Sequence, residues 1–133
     1  MAHAQHLRAV PVFSELDDDA LELILETGTE VEVTTGHVLA EGGQAGSGLF
    51  VIEDGQVTVE LPGKSITLGP GEFFGEMSLL TEAPRVARVR ATAPTRCLAI
   101  GRADFERVLE KEPKLAVAML RALARRLAEQ ETH

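Results

Sequence analysis

The sequence predicts a mainly β domain, an antiparallel roll or barrel with one helix ahead of it and a helix pair behind it. Three observations carry this. Val31 and Val33, then Val57, Val59 and Leu61, alternate with polar residues at period two, the mark of half-buried strands. Gly36, Gly42-Gly43, Gly55, Pro62-Gly63 and Gly69-Pro70-Gly71 interrupt this region at short intervals, as turns between short strands do. On both sides of it the apolar period becomes that of a helix.

The first helix opens at Asp17-Asp18-Asp19. One of these acids caps the free N–H groups, and the others favour the positive end of the helix dipole. Leu16, Ala20, Leu21, Ile24 and Leu25 form one apolar face, and Gly28 is read as the stop after the last turn. The strands follow. Arg96-Cys97-Leu98-Ala99-Ile100 reads as one of them, with Cys97 a small core residue. After Ile100, Phe105, Val108 and Leu109 mark a helix over Asp104–Glu110. Glu112-Pro113 breaks it and starts another, with proline at the first turn. Leu115, Ala118, Met119, Ala122, Leu123 and Leu127 then make an apolar stripe toward the C-terminus. The organisation is a single domain over 1–133: a helical lead (1–28), the roll (29–101) and C-terminal helices (102–130).

The chain has 133 residues, of which 44% are hydrophobic, enough for one core. No apolar run approaches a membrane span, and no secretory signal precedes the first helix. The single cysteine leaves no internal disulfide and fits a reducing cytoplasm. The net charge is −8, and it is uneven: residues 1–63 hold twelve acids and one base, residues 64–133 nine acids and twelve bases. An acidic chain of this kind is a poor nucleic-acid binder, so anion binding belongs to the second half. His3, His6, His37 and His133 are scattered and offer no metal-ligand spacing. No nucleophile elbow, P-loop or Ser–His–Asp set is present. These absences argue against an enzyme, including a small metalloenzyme on a cupin-type barrel.

The chemistry concentrates in Phe74-Gly75-Glu76-Met77-Ser78-Leu79-Leu80 and Ala83-Pro84-Arg85-Val86-Ala87-Arg88-Val89. A carboxylate and a guanidinium stand nine residues apart, each beside small residues. An acceptor-only group and a planar five-donor cation suit a ligand carrying hydroxyls and a phosphate. Small neighbours leave backbone N–H groups open to the anion.

This segment closely resembles the phosphate-binding cassette of cyclic-nucleotide-binding domains, F-G-E-x-x-L followed by P-R-x-A-x-V, and the fixed positions are all present. Val10 to Leu16 resembles that family's approach to its first helix. Gly42 to Ile52 resembles its glycine-rich turn and core strand, Asp54-Gly55-Gln56-Val57 the hairpin turn after it, and Leu68 to Phe74 the lead into the cassette. The resemblance covers nearly the whole chain in order and implies an antiparallel β-roll of the double-stranded β-helix, jelly-roll-like kind.

It also implies roles. Glu76 accepts hydrogen bonds from the ribose hydroxyl, and the alternative is a surface glutamate capping a short helix. Arg85 clamps the cyclic phosphate with its planar fork, and the alternative is an internal ion pair with Glu76. Gly75 belongs to the ligand site, and Met77, Ser78, Val86 and Ala87 act mainly through backbone N–H groups, aided by the positive end of a short helix starting near Glu76. Val86 departs from the Ala, Ser or Thr common there and lacks the hydroxyl that cGMP-selective members use, which favours cAMP over cGMP. Arg88 stands where Thr or Ser is frequent, and strand alternation turns it away from Arg85. With no Trp or Tyr, the base lid falls to Leu123 or Arg126 of the last helix. Arg126 is equally readable as a solvated residue beside the leucine stripe.

The expectation is therefore a stand-alone regulatory module that binds a cyclic nucleotide and signals by movement of its C-terminal helix. It needs no cofactor or metal. Its partner is another protein or a second copy met through the last helix, not nucleic acid or membrane. The alternatives are a fold that has lost its ligand and serves as an interaction module, and the sensor fragment of a larger regulator.

Overall fold

The computed structural model describes residues 7–40, 48–61, 63–75 and 88–131. A 3-10 turn at Pro11–Phe13 leads into helix α1 (Asp18–Thr27). Asp17 caps it, its carboxylate accepting from the Ala20 N–H at 2.9 Å. Leu16, Ala20, Leu21 and Ile24 are buried, so the predicted face is the packed one. Gly28 is a correction. It has an extended backbone (φ −91°, ψ 163°) and opens the first strand without a left-handed stop. Its lack of a side chain serves a close approach, because a Cβ there would lie 2.7 Å from Leu98 Cδ1.

Among the described residues eight strands follow: β1 (Gly28–Val33), β2 (Val38–Ala40), β3 (Gly48–Asp54), β4 (Val57–Leu61), β5 (Lys64–Leu68), β6 (Phe73–Phe74), β7 (Arg88–Ala91) and β8 (Thr95–Gly101). They form two antiparallel four-stranded sheets, ordered β1-β8-β3-β6 and β2-β7-β4-β5. The antiparallel roll with flanking helices is thus the fold. Of the predicted glycine-rich turn, residues 42–47 lie outside the described residues.

The turn at Asp54-Gly55 needs correcting too. It is not a hairpin, since β3 belongs to one sheet and β4 to the other. The Asp54 carboxylate accepts from the Gly55 N–H at 3.0 Å, and the chain crosses from sheet to sheet there. The local hairpin is β4–β5, where Leu61 faces Lys64. A sequence shows where a turn falls, but the choice of partner strand is a tertiary contact.

In the first sheet, strands β3, β6 and β8 are buried on both faces, by period-two alternation. Leu49 and Val51 of β3, Leu98 and Ile100 of β8 and Phe73 of β6 join Phe13, Leu21, Ile24, Phe105 and Leu115 in a core shared with the helices. Ile52, Cys97 and Phe74 face Val57, Leu68 and Val89 in a second core between the sheets. Cys97 is a core residue as expected. Burial, followed by the charges of Glu53 and Glu30, pushes its thiol up to about 12, so it carries no thiolate at neutral pH. Helices α2 (Arg102–Lys111) and α3 (Pro113–Glu131) close the chain, broken at Glu112-Pro113 as predicted.

Candidate functional site

The approach to the cassette is held firmly in place. After β5 the chain turns through Gly69–Glu72, where the Glu72 carboxylate accepts from the Gly69 N–H at 2.8 Å. Two backbone hydrogen bonds tie this turn to β3: Gly71 N–H to the Ile52 carbonyl and Ile52 N–H to the Glu72 carbonyl, both 2.8 Å. Strand β6 is two residues long, and its neighbouring phenylalanines point into different cores. Phe74 stacks on its cross-strand partner Phe50, with centroids 4.9 Å apart and rings within 7° of parallel, a close stacked aromatic pair.

Gly75 follows directly with φ +98°. A Cβ is strained in that region, so glycine is what lets the chain leave β6 at this angle. The predicted ligand residues Glu76, Met77, Ser78, Arg85, Val86 and Ala87 lie outside the described residues. The chain is described again from β7. Val89 and Ala91 face inward, and Arg88 and Arg90 lie 3.9 and 3.5 Å from the Glu60 carboxylate. Arg88 is exposed, as strand alternation required.

The two lid candidates stand in different surroundings. Leu123 is half-buried against the helix-facing core, in a groove with Phe105, Leu109, Met119 and Leu120. Arg126 reaches the first sheet. Its guanidinium lies 5.0 Å from the centroid of Phe73, and its Nη2 donates to the Phe73 carbonyl at 3.1 Å. It lines a cleft of about 320 Å³ between the 3-10 turn, the β5–β6 turn and α3. The fold therefore brings Arg126 to the strand that ends at Gly75 and sets Leu123 toward α2.

Sequence reasoning missed Phe73 as a partner for Arg126. It also missed Glu53, whose side chain is only 2% exposed, with Oε1 3.4 Å from Arg96 Nε. Arg96 also faces Glu30 at 3.7 Å. Burial first, then the hydrogen bond and charge of Glu30, push the Glu53 carboxyl up to about 7 against the pull of Arg96. The available signal was a carboxylate following Val51-Ile52 in a core strand. Among the described residues no cluster of His, Cys, Asp and Glu could hold a metal ion, and no helix is long and apolar enough to cross a membrane.

Comparison with known proteins agrees with this architecture. The family model of the cyclic nucleotide-binding domain matches residues 30–112. The chain belongs to that family. A cyclic nucleotide-gated potassium channel of Rhizobium etli is 36% identical over 123 residues, which are 92% of this chain and 35% of the channel. The crystal structure of the Thermus thermophilus catabolite activator protein superposes with a TM-score of 0.78 at 33% identity, covering 92% of this chain and 60% of that one. The N-terminal domain of a transcriptional regulator from Streptomyces coelicolor A3(2) gives 0.68 at 34% identity, covering 94% of each chain. The chain spans about a third of the length of the channels it matches. Cyclic nucleotide-binding domains are typically regulatory.

Proposed function

We propose that the chain binds a cyclic nucleotide, cAMP in preference to cGMP, and reports occupancy through its C-terminal helix. The observation that carries this is the junction at Gly75. A strand fixed on β3 is followed by a glycine at φ +98°, and the next residue is Glu76 of the Gly75-Glu76 … Pro84-Arg85 sequence. Glu76 takes the ribose hydroxyl and Arg85 the cyclic phosphate. Gly75, Met77, Ser78, Val86 and Ala87 supply backbone N–H groups. Val86, lacking a hydroxyl, favours cAMP. Arg126 brings α3 to the strand that delivers the cassette, Leu123 packs that helix on α2, and occupancy changes the position of the helix.

Calorimetric titration with cAMP and cGMP tests the reading. Arg85→Ala is expected to weaken cAMP binding about 30- to several-thousand-fold, because it leaves a desolvated phosphate without its main partner. Arg88→Ala, on an exposed residue, is expected to change it far less. Equal losses would overturn the assignment. Absence of heat and of thermal shift at millimolar cAMP and cGMP would make the chain a non-binding module.

The partner reading rests on the opposite face of α3. Val117, Leu120 and Leu127 are 44%, 67% and 57% exposed. With exposed Ala124 they repeat at intervals of three, four and three, the seam spacing of a coiled coil. A protein partner or a second copy of this chain fits that seam, and light scattering with and without cAMP reads it out.

A further inference from the structure

Arg126 ties α3 to the strand that delivers the cassette. Arg126 meets Phe73 twice, through its guanidinium over the ring and through its Nη2 on the carbonyl. Phe73 is 1% exposed and packed in the helix-facing core, so its position is that of β6 itself. Two residues further on the chain turns at Gly75. On the packed face of α3, burial falls from Leu115 and Met119, 1% and 4% exposed, to half-buried Ala122 and Arg126. Arg126 thus engages β6 where the helix has otherwise begun to leave the body of the domain.

We infer that Arg126 is a positioning residue that latches α3 to β6 through Phe73, and that it acts on bound nucleotide by coupling helix and cassette and not by stacking on the base. The nucleotide part rests on the function proposed above, while the latch itself does not. A cation held over an aromatic face adds a modest attraction, and the carbonyl contact adds direction, since the planar guanidinium must orient to satisfy both. A shift of β6 at Gly75 is then transmitted to the helix, and a shift of the helix to Gly75.

The test uses the full chain. Without nucleotide, amide hydrogen exchange is measured in wild type, Arg126→Ala and Arg126→Lys. The expected result for Arg126→Ala is a rise of about three- to tenfold in opening, shared by Phe74–Gly75 and by α3 from Ala122 onward, with the β4–β5 hairpin unchanged. Arg126→Lys keeps the charge, loses the fork and falls between. Faster exchange in the helix alone, or in neither region, would overturn the latch. With nucleotide, the Arg126→Ala loss of affinity is expected to be equal for purine and pyrimidine 3′,5′-cyclic monophosphates. A loss confined to purines would make Arg126 a base lid. If wild type binds no cyclic nucleotide, the proposed function fails and the exchange experiment alone decides the latch.

Discussion

The two faces of the first sheet differ in what they join. Its helix-facing side gathers buried residues from the 3-10 turn and from the described helices α1, α2 and α3, with Phe13, Leu21, Phe105 and Met119 meeting β3, β6 and β8. Its inner side joins sheet to sheet through Ile52, Cys97, Phe74, Leu68 and Val89. One face therefore joins the roll to its helices, and the other holds the roll together. Adjacent residues of β6 enter both, Phe73 on the helix side and Phe74 on the inner side. A strand of two residues can thus link the roll to the helices.

The sharpest test of this contrast is a matched pair of leucines. Leu98 lies on β8, flanked by β1 and β3, and Leu68 on β5, an edge strand of the other sheet. Both are buried, at 1% and 3% exposure. Leu98→Ala is expected to cost about 3–5 kcal/mol and Leu68→Ala about 2–3 kcal/mol, because an edge site collapses more easily around the lost atoms. Urea denaturation of both variants checks this, and a larger cost for Leu68 would reverse the ranking of the two cores.

Glu53 places a carboxylate on the helix-facing side of the sheet, and its effect follows pH. With the carboxyl raised from 4.5 to about 7, the folded chain keeps a proton that the unfolded chain releases between those values. Stability from this group falls as pH rises through that window, then levels off above about 7. Glu53→Gln is expected to stabilise by about 1–3 kcal/mol at pH 8 and by nearly nothing at pH 4. Thermal melts across pH measure it. A wild type whose stability rises from pH 5 to 7, with a variant parallel to it, would remove Glu53 as the cause.

The helix starts differ as well. Asp17 caps α1, whereas α2 begins at Gly101 with no side-chain cap. Gly101 has φ −68°, and a Cβ there meets nothing within 4 Å. Gly101→Ser is expected to gain about 0.5–1 kcal/mol from the cap and from a less flexible unfolded chain. Equilibrium unfolding reads this out, and a loss would mean that the Gly48–Gly101 pairing requires the glycine.

The smallest expected change in fold stability is at the exposed seam. Leu120→Glu is expected to alter monomer stability by less than about 0.5 kcal/mol while abolishing any association through α3. Sedimentation of wild type and variant separates the two effects.

The helices and their packed faces, the alternating strands, the cap at Asp17 and the break at Glu112-Pro113 were legible in the sequence, while Gly28 as a helix stop was not. Each depends on residues within one or two turns of the chain, where periodicity and backbone chemistry act directly. The Gly75-Glu76 … Arg85 motif was legible in the same way, as residue types at a spacing. Pairing and depth were not. That Asp54-Gly55 crosses between sheets, that Gly28 is small to admit Leu98, that Glu53 loses its water beside Arg96, and that Arg126 finds Phe73 are contacts between residues distant along the chain. Sequence periodicity assigns a side chain to a face. Only the packing of the sheets and helices decides what that face meets, because burial and electrostatics depend on distances in space.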